Sequence, residues 1–246
     1  MIGTSQSGGS IALPARPHSI REARQIAQPA QYSPALTDKF YRALSIYPSY
    51  WLSRTSVTPN QITYFWIALG LIAAIGLDAP RHRYRLAAAF LLQISYLFDY
   101  VDGEVARLQD RRSKKGLLLD LLGHGVVKMA LFLCLGFHFV GTALAAPALI
   151  LAFLASIGIV NGNALSSFGV VAGYLAEPGP APSASVTADS ARSFLKKLLT
   201  VVALLFESPG IYALILATVA IEKTEWALCF YGVLAPFWLI YHTAKF

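Results

Sequence analysis

Residues 99–107 read DYVDGEVAR, and they join two long apolar stretches of the chain. Asp99 and Asp102 stand at the end of the first stretch, while Asp120 and His124 stand near the start of the second. Carboxylates in or beside a membrane helix cost free energy and are normally retained for ion or substrate chemistry. Two such helices side by side would bring these four side chains to one place. The sequence therefore predicts that the active site lies there.

The composition indicates an all-α integral membrane protein. Of the 246 residues, 56% are hydrophobic and only 13% are charged, and a soluble domain would need a larger polar surface. Six stretches are each long enough to cross a bilayer core of about 30 Å. These predicted transmembrane helices are 62–78, 85–101, 117–140, 143–163, 197–221 and 225–242. The fifth is interrupted by the segment from Glu207 to Gly210.

Two segments before the first span receive separate predictions. Residues 1–35 are predicted to be a disordered cytosolic tail, because they are rich in Gly, Ser, Ala, Gln and Pro and lack the apolar core of a secretory signal. Residues 36–53 are predicted to form an interfacial juxtamembrane helix, since Trp and Tyr favour the level of the lipid headgroups. Residues 36–246 are then expected to form one membrane domain.

The distribution of basic residues predicts the orientation. A cytosolic N-terminus places fifteen of the twenty Lys and Arg residues in inside segments and four in outside segments. The positive-inside rule therefore favours two cytosolic termini and an active site that faces the cytosol, at the inner membrane if the source is bacterial. The net charge of +7 suits contact with anionic membrane lipids. Nucleic acid is not expected as a partner, since no recognition module is present.

Helical spacing groups the polar residues into two stripes. Residues three and four apart share a helix face, so Asp99 lies with Asp102, and Asp120 lies with His124 and Lys128. Divalent cations such as Mg²⁺ take oxygen ligands and often pair carboxylates with substrate phosphates. The alternative, in which helix-end aspartates only meet headgroup water, explains the full set of spacings badly.

Small residues and one arginine complete the predicted ligand site. Gly103, Ala106 and Gly116 would let a ligand approach the backbone, and Arg107 could bind a phosphate oxygen through two hydrogen bonds. These features predict a diphosphate that is bound by metal at the cytosolic rim. Glu104 is expected to be solvated at that rim.

Four basic residues are candidates for binding an anionic acceptor or a lipid phosphate: Lys128, Arg192, Lys196 and Lys197. Lys128 could instead neutralise a carboxylate, because it lies within a predicted span. The last three follow a Pro- and Ser-rich loop and could simply anchor the chain on the cytosolic side.

The motif resembles the signature of the CDP-alcohol phosphotransferase family, Asp-x2-Asp-Gly-x2-Ala-Arg-x8-Gly-x3-Asp-x3-Asp. The positions that match it are Asp99, Asp102, Gly103, Ala106, Arg107, Gly116 and Asp120. Thr58-Pro59-Asn60 also looks like a segment that precedes the first span in many members. The resemblance implies transfer of a substituted phosphate from a CDP-linked donor, most commonly CDP-diacylglycerol, to a hydroxyl acceptor, with release of CMP. It further implies two divalent ions, Mg²⁺ or Mn²⁺, and a homodimer.

The resemblance also assigns roles to individual residues. It implies that metal is held by Asp99, Asp102 and Asp120, together with His124. It implies that the CDP moiety is bound by Asn60, Asp99, Asp102, Gly103, Ala106, Arg107 and Gly116. The reverse distribution of lipid, with a CDP-linked small alcohol as donor and a lipid hydroxyl as acceptor, stays open.

His124 is the departure from the signature, which has its fourth Asp at this position. In the family this carboxylate is usually assigned as the base that deprotonates the acceptor. Three interpretations of His124 compete. It is itself the catalytic base, since a reference pKa of about 6.5 leaves it mostly neutral at pH 7. Otherwise it is a metal ligand and another group is the base, or the site is degenerate. In the last case the protein would be a non-catalytic scaffold that binds nucleotide, lipid or a partner.

Overall fold

The computed structural model describes residues 17–28, 36–175 and 203–244, and every regular element in these ranges is a helix. The helices are α1 (Ile20–Ala27), α2 (Leu36–Leu52), α3 (Pro59–Gly76), α4 (His82–Leu108), α5 (Lys114–Phe137), α6 (Ala145–Leu175), α7 (Ser208–Ala220) and α8 (Thr224–Thr243). Residues 203–206 add one helical turn before α7. The all-α class is therefore confirmed.

Helices α3 to α8 fall on the six stretches predicted to span the membrane. Within the described ranges, two segments are long and apolar enough to cross a bilayer, Lys114–Phe137 and Ala145–Leu165. The predicted interruption of the fifth stretch is confirmed, since Glu207 is extended and α7 begins at Ser208 with a proline in its first turn. Proline is tolerated there because its missing N–H would have no helical acceptor. The six-span topology itself stays a prediction.

Helix α4 runs beyond the predicted span and carries the whole motif from Asp99 to Arg107. The chain then reverses within a few residues. Asp110 adopts a left-handed conformation with φ of 51°, which Asp tolerates better than most residues. The Ser113 hydroxyl accepts from the Gly116 N–H at 3.0 Å and caps α5. This tight reversal explains why Asp120 on α5 returns beside the end of α4.

A close approach of α3 and α5 brings the aromatic residues of α3 against the site. A Cβ on Gly123 would lie 2.5 Å from Ile67 Cδ1 and 2.9 Å from Trp66 Cη2, so this packing requires glycine. As a result, the Trp66 ring lies 5.0 Å from the His124 ring, centre to centre. Gly123 thus allows the aromatic ring of Trp66 to lie beside His124, the next residue on α5.

The prediction of a disordered tail is wrong for residues 20–27, which form α1. The Ser19 hydroxyl caps this helix by accepting from the Glu22 N–H at 3.2 Å. Ala23 and Ala27, four residues apart, are fully buried against α2 and the end of α4. Composition alone hides such a short amphipathic pattern. Residues 1–16 and 29–35 of the predicted tail lie outside the described residues.

A helix, α2, covers the segment that was predicted to be a juxtamembrane helix. Four large apolar side chains are exposed along one of its faces, Phe40, Leu44, Tyr47 and Trp51. Their spacing of three to four residues is that of a single helix face. An exposed apolar stripe suits the membrane surface, although the location of α2 at the interface stays a prediction.

Candidate active site

A cleft of about 300 Å³ opens where the start of α3, the end of α4 and the start of α5 meet. Seven of the predicted residues line it: Asn60, Asp102, Gly103, Ala106, Arg107, Gly116 and Asp120. Arg111, Arg112 and Ser113, from the turn between α4 and α5, also line it and were not predicted. The cleft therefore combines carboxylates on its walls with three guanidinium groups, which suits a ligand with several phosphate oxygens.

A second group of polar residues gathers Asp99, Asp120 and His124. The His124 Nε2 atom lies 3.2 Å from an Asp99 oxygen and 3.7 Å from an Asp120 oxygen. One potential ligand atom from each of the three residues lies within 4.8 Å of the other two. Asp120 belongs both to this group and to the lining of the cleft, so the group lies beside the cleft. The sequence predicted that α4 and α5 would bring Asp99, Asp102, Asp120 and His124 to one place, and three of these four side chains form the compact group.

Two atoms in this group suit a divalent cation. The Asp120 Oδ1 and His124 Nδ1 atoms are buried, and neither has a hydrogen-bond partner among the described residues. Buried polar atoms without a partner are costly and therefore uncommon. Carboxylate oxygens suit Mg²⁺ and Mn²⁺, and an imidazole nitrogen is a common ligand of transition metals. The residues present therefore fit a divalent ion.

Asp102 has different surroundings from its three partners in the predicted metal set. One of its oxygens, Oδ2, accepts from the Thr63 hydroxyl at 2.7 Å and from the Trp66 indole N–H at 2.8 Å. These two bonds stabilise a carboxylate that is almost fully buried. Among the described residues, the compact group of possible ligands does not include Asp102. If Asp102 contributes to metal binding, it therefore does so from the wall of the cleft and not from within this group.

Thr63 and Trp66 were missed by the sequence analysis. Both lie on α3, which reads as a uniformly apolar helix apart from its first turns. A signal was available, because Asn60, Thr63 and Trp66 follow one another at three-residue spacing and so share a face. Two of these residues have polar side chains and the third carries an indole N–H, which needs an acceptor when it is buried.

We expect Thr63→Val to destabilise the protein, because the change keeps the side-chain shape but removes one of the two donors to Asp102. A buried carboxylate that loses a hydrogen bond costs about 1–3 kcal/mol. Thr218→Val is the matched control, since the buried Thr218 hydroxyl donates only to carbonyls of its own helix and such bonds stabilise little. Thermal unfolding in detergent measures both variants. Equal losses would show that Asp102 does not depend on Thr63.

Arg107 lies over Gly103 at the cleft. Its Nε atom donates to the Ala27 carbonyl at the end of α1, at 2.6 Å. A Cβ on Gly103 would lie 3.4 Å from Nη1 and 3.6 Å from Nη2 of Arg107, so a larger side chain would push against the guanidinium. Gly116 likewise faces Asn60, whose Oδ1 would lie 3.2 Å from an added Cβ. Gly103 and Gly116 therefore border polar groups of the cleft.

Of the remaining predicted residues, the structure describes Lys128 and Glu104. Lys128 is buried, with 4% exposure, one turn beyond His124 on α5, and it does not line the cleft. The other three basic candidates, Arg192, Lys196 and Lys197, lie outside the described residues. Glu104 is not solvated as predicted but is 1% exposed, because it points towards α1 and α2 and accepts hydrogen bonds from them.

Comparison with known proteins identifies relatives of this site. Residues 56–231 match the family model of the CDP-alcohol phosphatidyltransferases, and the matched range contains the motif and every residue that lines the cleft. A similar protein is the "Bifunctional IPC transferase and DIPP synthase" of Aquifex aeolicus, which is 34% identical over 107 residues. That alignment covers 43% of this chain and 20% of the relative, so the chain spans about a fifth of the relative's length.

Proposed function

We propose, because this chain belongs to the CDP-alcohol phosphatidyltransferase family, that it transfers a substituted phosphate from a CDP-linked donor to a hydroxyl acceptor and releases CMP. The observation that carries the proposal is the cleft, in which the carboxylates, the small residues and Arg107 of the motif converge. Transfer of this kind depends mainly on positioning and on neutralising phosphate charge. The cleft offers both.

The donor would bind with its diphosphate against the basic side of the cleft. Arg107, Arg111 and Arg112 supply planar guanidinium groups there, and these match phosphate oxygens through paired hydrogen bonds. Asn60 and Gly116, on the facing helices, border the space that the nucleotide would occupy. CDP-diacylglycerol is the proposed donor, with a CDP-linked small alcohol as the alternative.

Divalent ions, Mg²⁺ or Mn²⁺, would be held by Asp99 and Asp120, with Asp102 on the cleft wall, and by His124 in the alternative in which another group is the base. When bound, such ions neutralise the negative charge of the donor phosphates. This assignment is supported by the buried Asp120 Oδ1 atom, which has no hydrogen-bond partner in the described part of the chain.

His124 would accept the proton of the acceptor hydroxyl. Its Nε2 atom lies within hydrogen-bond distance of Asp99, so a neutral imidazole would carry its proton on Nε2 and donate it to that carboxylate. The Nδ1 atom, buried and without a partner in the described residues, would then be the basic nitrogen. A carboxylate that fixes the tautomer of a catalytic histidine is a recurrent arrangement.

The proposed setting is a membrane, with six spanning helices, cytosolic termini and a cleft that opens to the cytosol. Large apolar side chains exposed on several helices support it, among them Ile75, Phe90, Phe153 and Phe237, since extensive exposed apolar surface suits an apolar environment. The proposed homodimer rests on the family resemblance.

Turnover by the purified protein tests the function. The protein in detergent is incubated with Mg²⁺ or Mn²⁺, a panel of hydroxyl acceptors and one donor, either CDP-diacylglycerol or a CDP-linked small alcohol. Mass spectrometry then measures CMP and the lipid products. We expect CMP release that depends on both donor and acceptor. Binding of CDP without CMP release from any donor would instead favour a non-catalytic scaffold.

Arg107→Lys tests whether the Arg107 guanidinium binds the diphosphate of the donor. We expect the donor KM to rise by roughly tenfold, because a point charge replaces a fork of paired hydrogen bonds. Gly103→Leu should raise it as well, since the larger side chain would displace the guanidinium. Gly103→Ala is the graded control, because its Cβ would only reach contact distance. An unchanged donor KM in both Arg107→Lys and Gly103→Leu would place the nucleotide elsewhere.

A further inference from the structure

We infer that Glu104 is a positioning residue, which holds the end of α1 in place so that α1 in turn orients Arg107 over the donor cleft. The inference rests on the proposed function, because it assigns Arg107 to the donor phosphates. It concerns a residue that the family signature leaves variable and a helix, α1, that precedes the family match.

Glu104 is a buried carboxylate that is stabilised by neutral donors. Its Oε1 atom accepts from the Ser45 hydroxyl at 2.7 Å and from the Gln28 side-chain amide at 2.6 Å, and its Oε2 atom accepts from the Ser49 hydroxyl at 2.7 Å. Burying a carboxylate is expensive unless such bonds are made. Bonds to a charged acceptor are also the stronger kind. Glu104 therefore ties α4 to both α1 and α2.

Gln28 makes this carboxylate an anchor for α1. It is the residue that caps the C-terminal end of α1, and its amide also donates to the Arg42 carbonyl of α2 at 2.8 Å. At the other end of the helix, the Tyr50 hydroxyl and the Arg54 guanidinium donate to the carbonyls of His18 and Pro17, at 3.2 and 2.7 Å. Side chains from α2 and the segment that follows it thus hold α1 at its beginning, and Glu104 holds it at its end.

The residue next to Gln28 contacts the cleft. The Ala27 carbonyl accepts from Arg107 Nε at 2.6 Å, and the side chain of Ala27 is fully buried. This bond fixes the plane of the guanidinium, whose terminal nitrogens lie over Gly103. Because Gln28 and Ala27 are adjacent, loss of the bond between Gln28 and Glu104 would release the carbonyl that orients Arg107.

A purely structural role predicts something different. If Glu104 only joined α2 to α4, its removal would weaken the fold whether or not Arg107 is present. If Glu104 acts through Arg107, its effect on the donor site should disappear when Arg107 is removed. Coupling between the two changes therefore separates the two roles.

The first experiment measures the docking of α1 without any ligand. Trypsin cleavage after Arg21 and Arg24, both exposed on α1, is followed by mass spectrometry in the full-length protein. We expect faster cleavage in Gln28→Ala and in Glu104→Ala. Gln25→Ala is the matched control, as it changes an exposed glutamine of the same helix. Glu104→Gln should stay close to wild type, because an amide can keep the oxygen that accepts from Gln28 and Ser45.

The second experiment measures the affinity for CDP in the presence of Mg²⁺ by calorimetry. We expect the Kd to rise roughly tenfold in Gln28→Ala, the order expected when one charge-assisted hydrogen bond is misplaced. In an Arg107→Ala background, Gln28→Ala should cause no further rise. If Glu104→Ala fails to fold, Gln28→Ala can be measured in its place, because Gln28 is only partly buried and its replacement disturbs the fold less.

The outcomes separate this inference from the proposed function. Two results would overturn the inference: unchanged trypsin cleavage in Gln28→Ala, or an unchanged Kd for CDP in a variant whose α1 is cleaved faster. The proposed function would remain intact in both cases if the wild-type protein binds CDP. Effects of Gln28→Ala that persist undiminished without Arg107 would also overturn it. A wild-type protein that binds no CDP would overturn the proposed function, and the inference with it.

Discussion

Asp120→Asn is expected to abolish measurable CMP release, with a loss of roughly a thousandfold or more. Asp120 is the residue that belongs both to the cleft and to the group with Asp99 and His124. Asparagine keeps the shape but removes the charge, so an ion would be held less tightly and the donor phosphates would be less well neutralised. Asp99→Asn and Asp102→Asn should have effects of the same kind. CMP release at saturating donor, over a range of metal concentrations, measures all three.

A matched control lies at the opposite end of the bundle. Asp78 faces His138 at 3.2 Å, so this pair has the chemistry of the Asp99–His124 pair without the cleft. Asp78→Asn should therefore turn over at the wild-type rate. Each variant should elute as wild type does in detergent and keep its helical circular dichroism. CMP release near the wild-type rate in Asp102→Asn or Asp120→Asn would show that these carboxylates do not hold the metal.

His124→Ala is expected to lower kcat by about a hundredfold or more while donor binding is retained, because positioned proton transfer contributes at least that much. The side chain replaces the fourth carboxylate of the family signature and is bonded to Asp99 through one nitrogen only. His138→Ala, at the far end of the same helix, is the control and should leave kcat unchanged. Near-normal turnover in His124→Ala with an unaltered pH profile would place the base elsewhere.

His124→Asp separates the base from a metal ligand. It restores the usual family pattern, so partial activity is expected. If position 124 supplies the base, the acid limb of kcat should move down by about two to three pH units, since the reference pKa values are about 6.5 for His and about 3.9 for Asp. If His124 is instead a ligand, the limb should stay in place, and excess Mn²⁺ should partly restore His124→Ala.

Local pattern in the sequence was enough to predict helices α2 to α8 and the position of the acidic motif on α4 and α5. Apolar runs marked α3 to α8, and the Glu207 break followed from its Ser-Pro-Gly sequence. The resemblance to the family signature predicted six residues that line the cleft, and the Thr58-Pro59-Asn60 segment predicted a seventh, Asn60. The apolar runs and the break are local features that the sequence displays directly, whereas the roles of the cleft residues came from the family resemblance.

Only the tertiary structure decided which partner each polar group meets. Thr63 and Asp102 are 39 residues apart, and Gln28 and Glu104 are 76 apart. Helical spacing relates residues within a single helix and contains no information about such distant pairs. For this reason Glu104 was placed at the solvated rim, and the first helix was assigned to a disordered tail. Burial of both depends on how α1, α2 and α4 pack together, because a carboxylate can leave water only where folded neighbours donate to it.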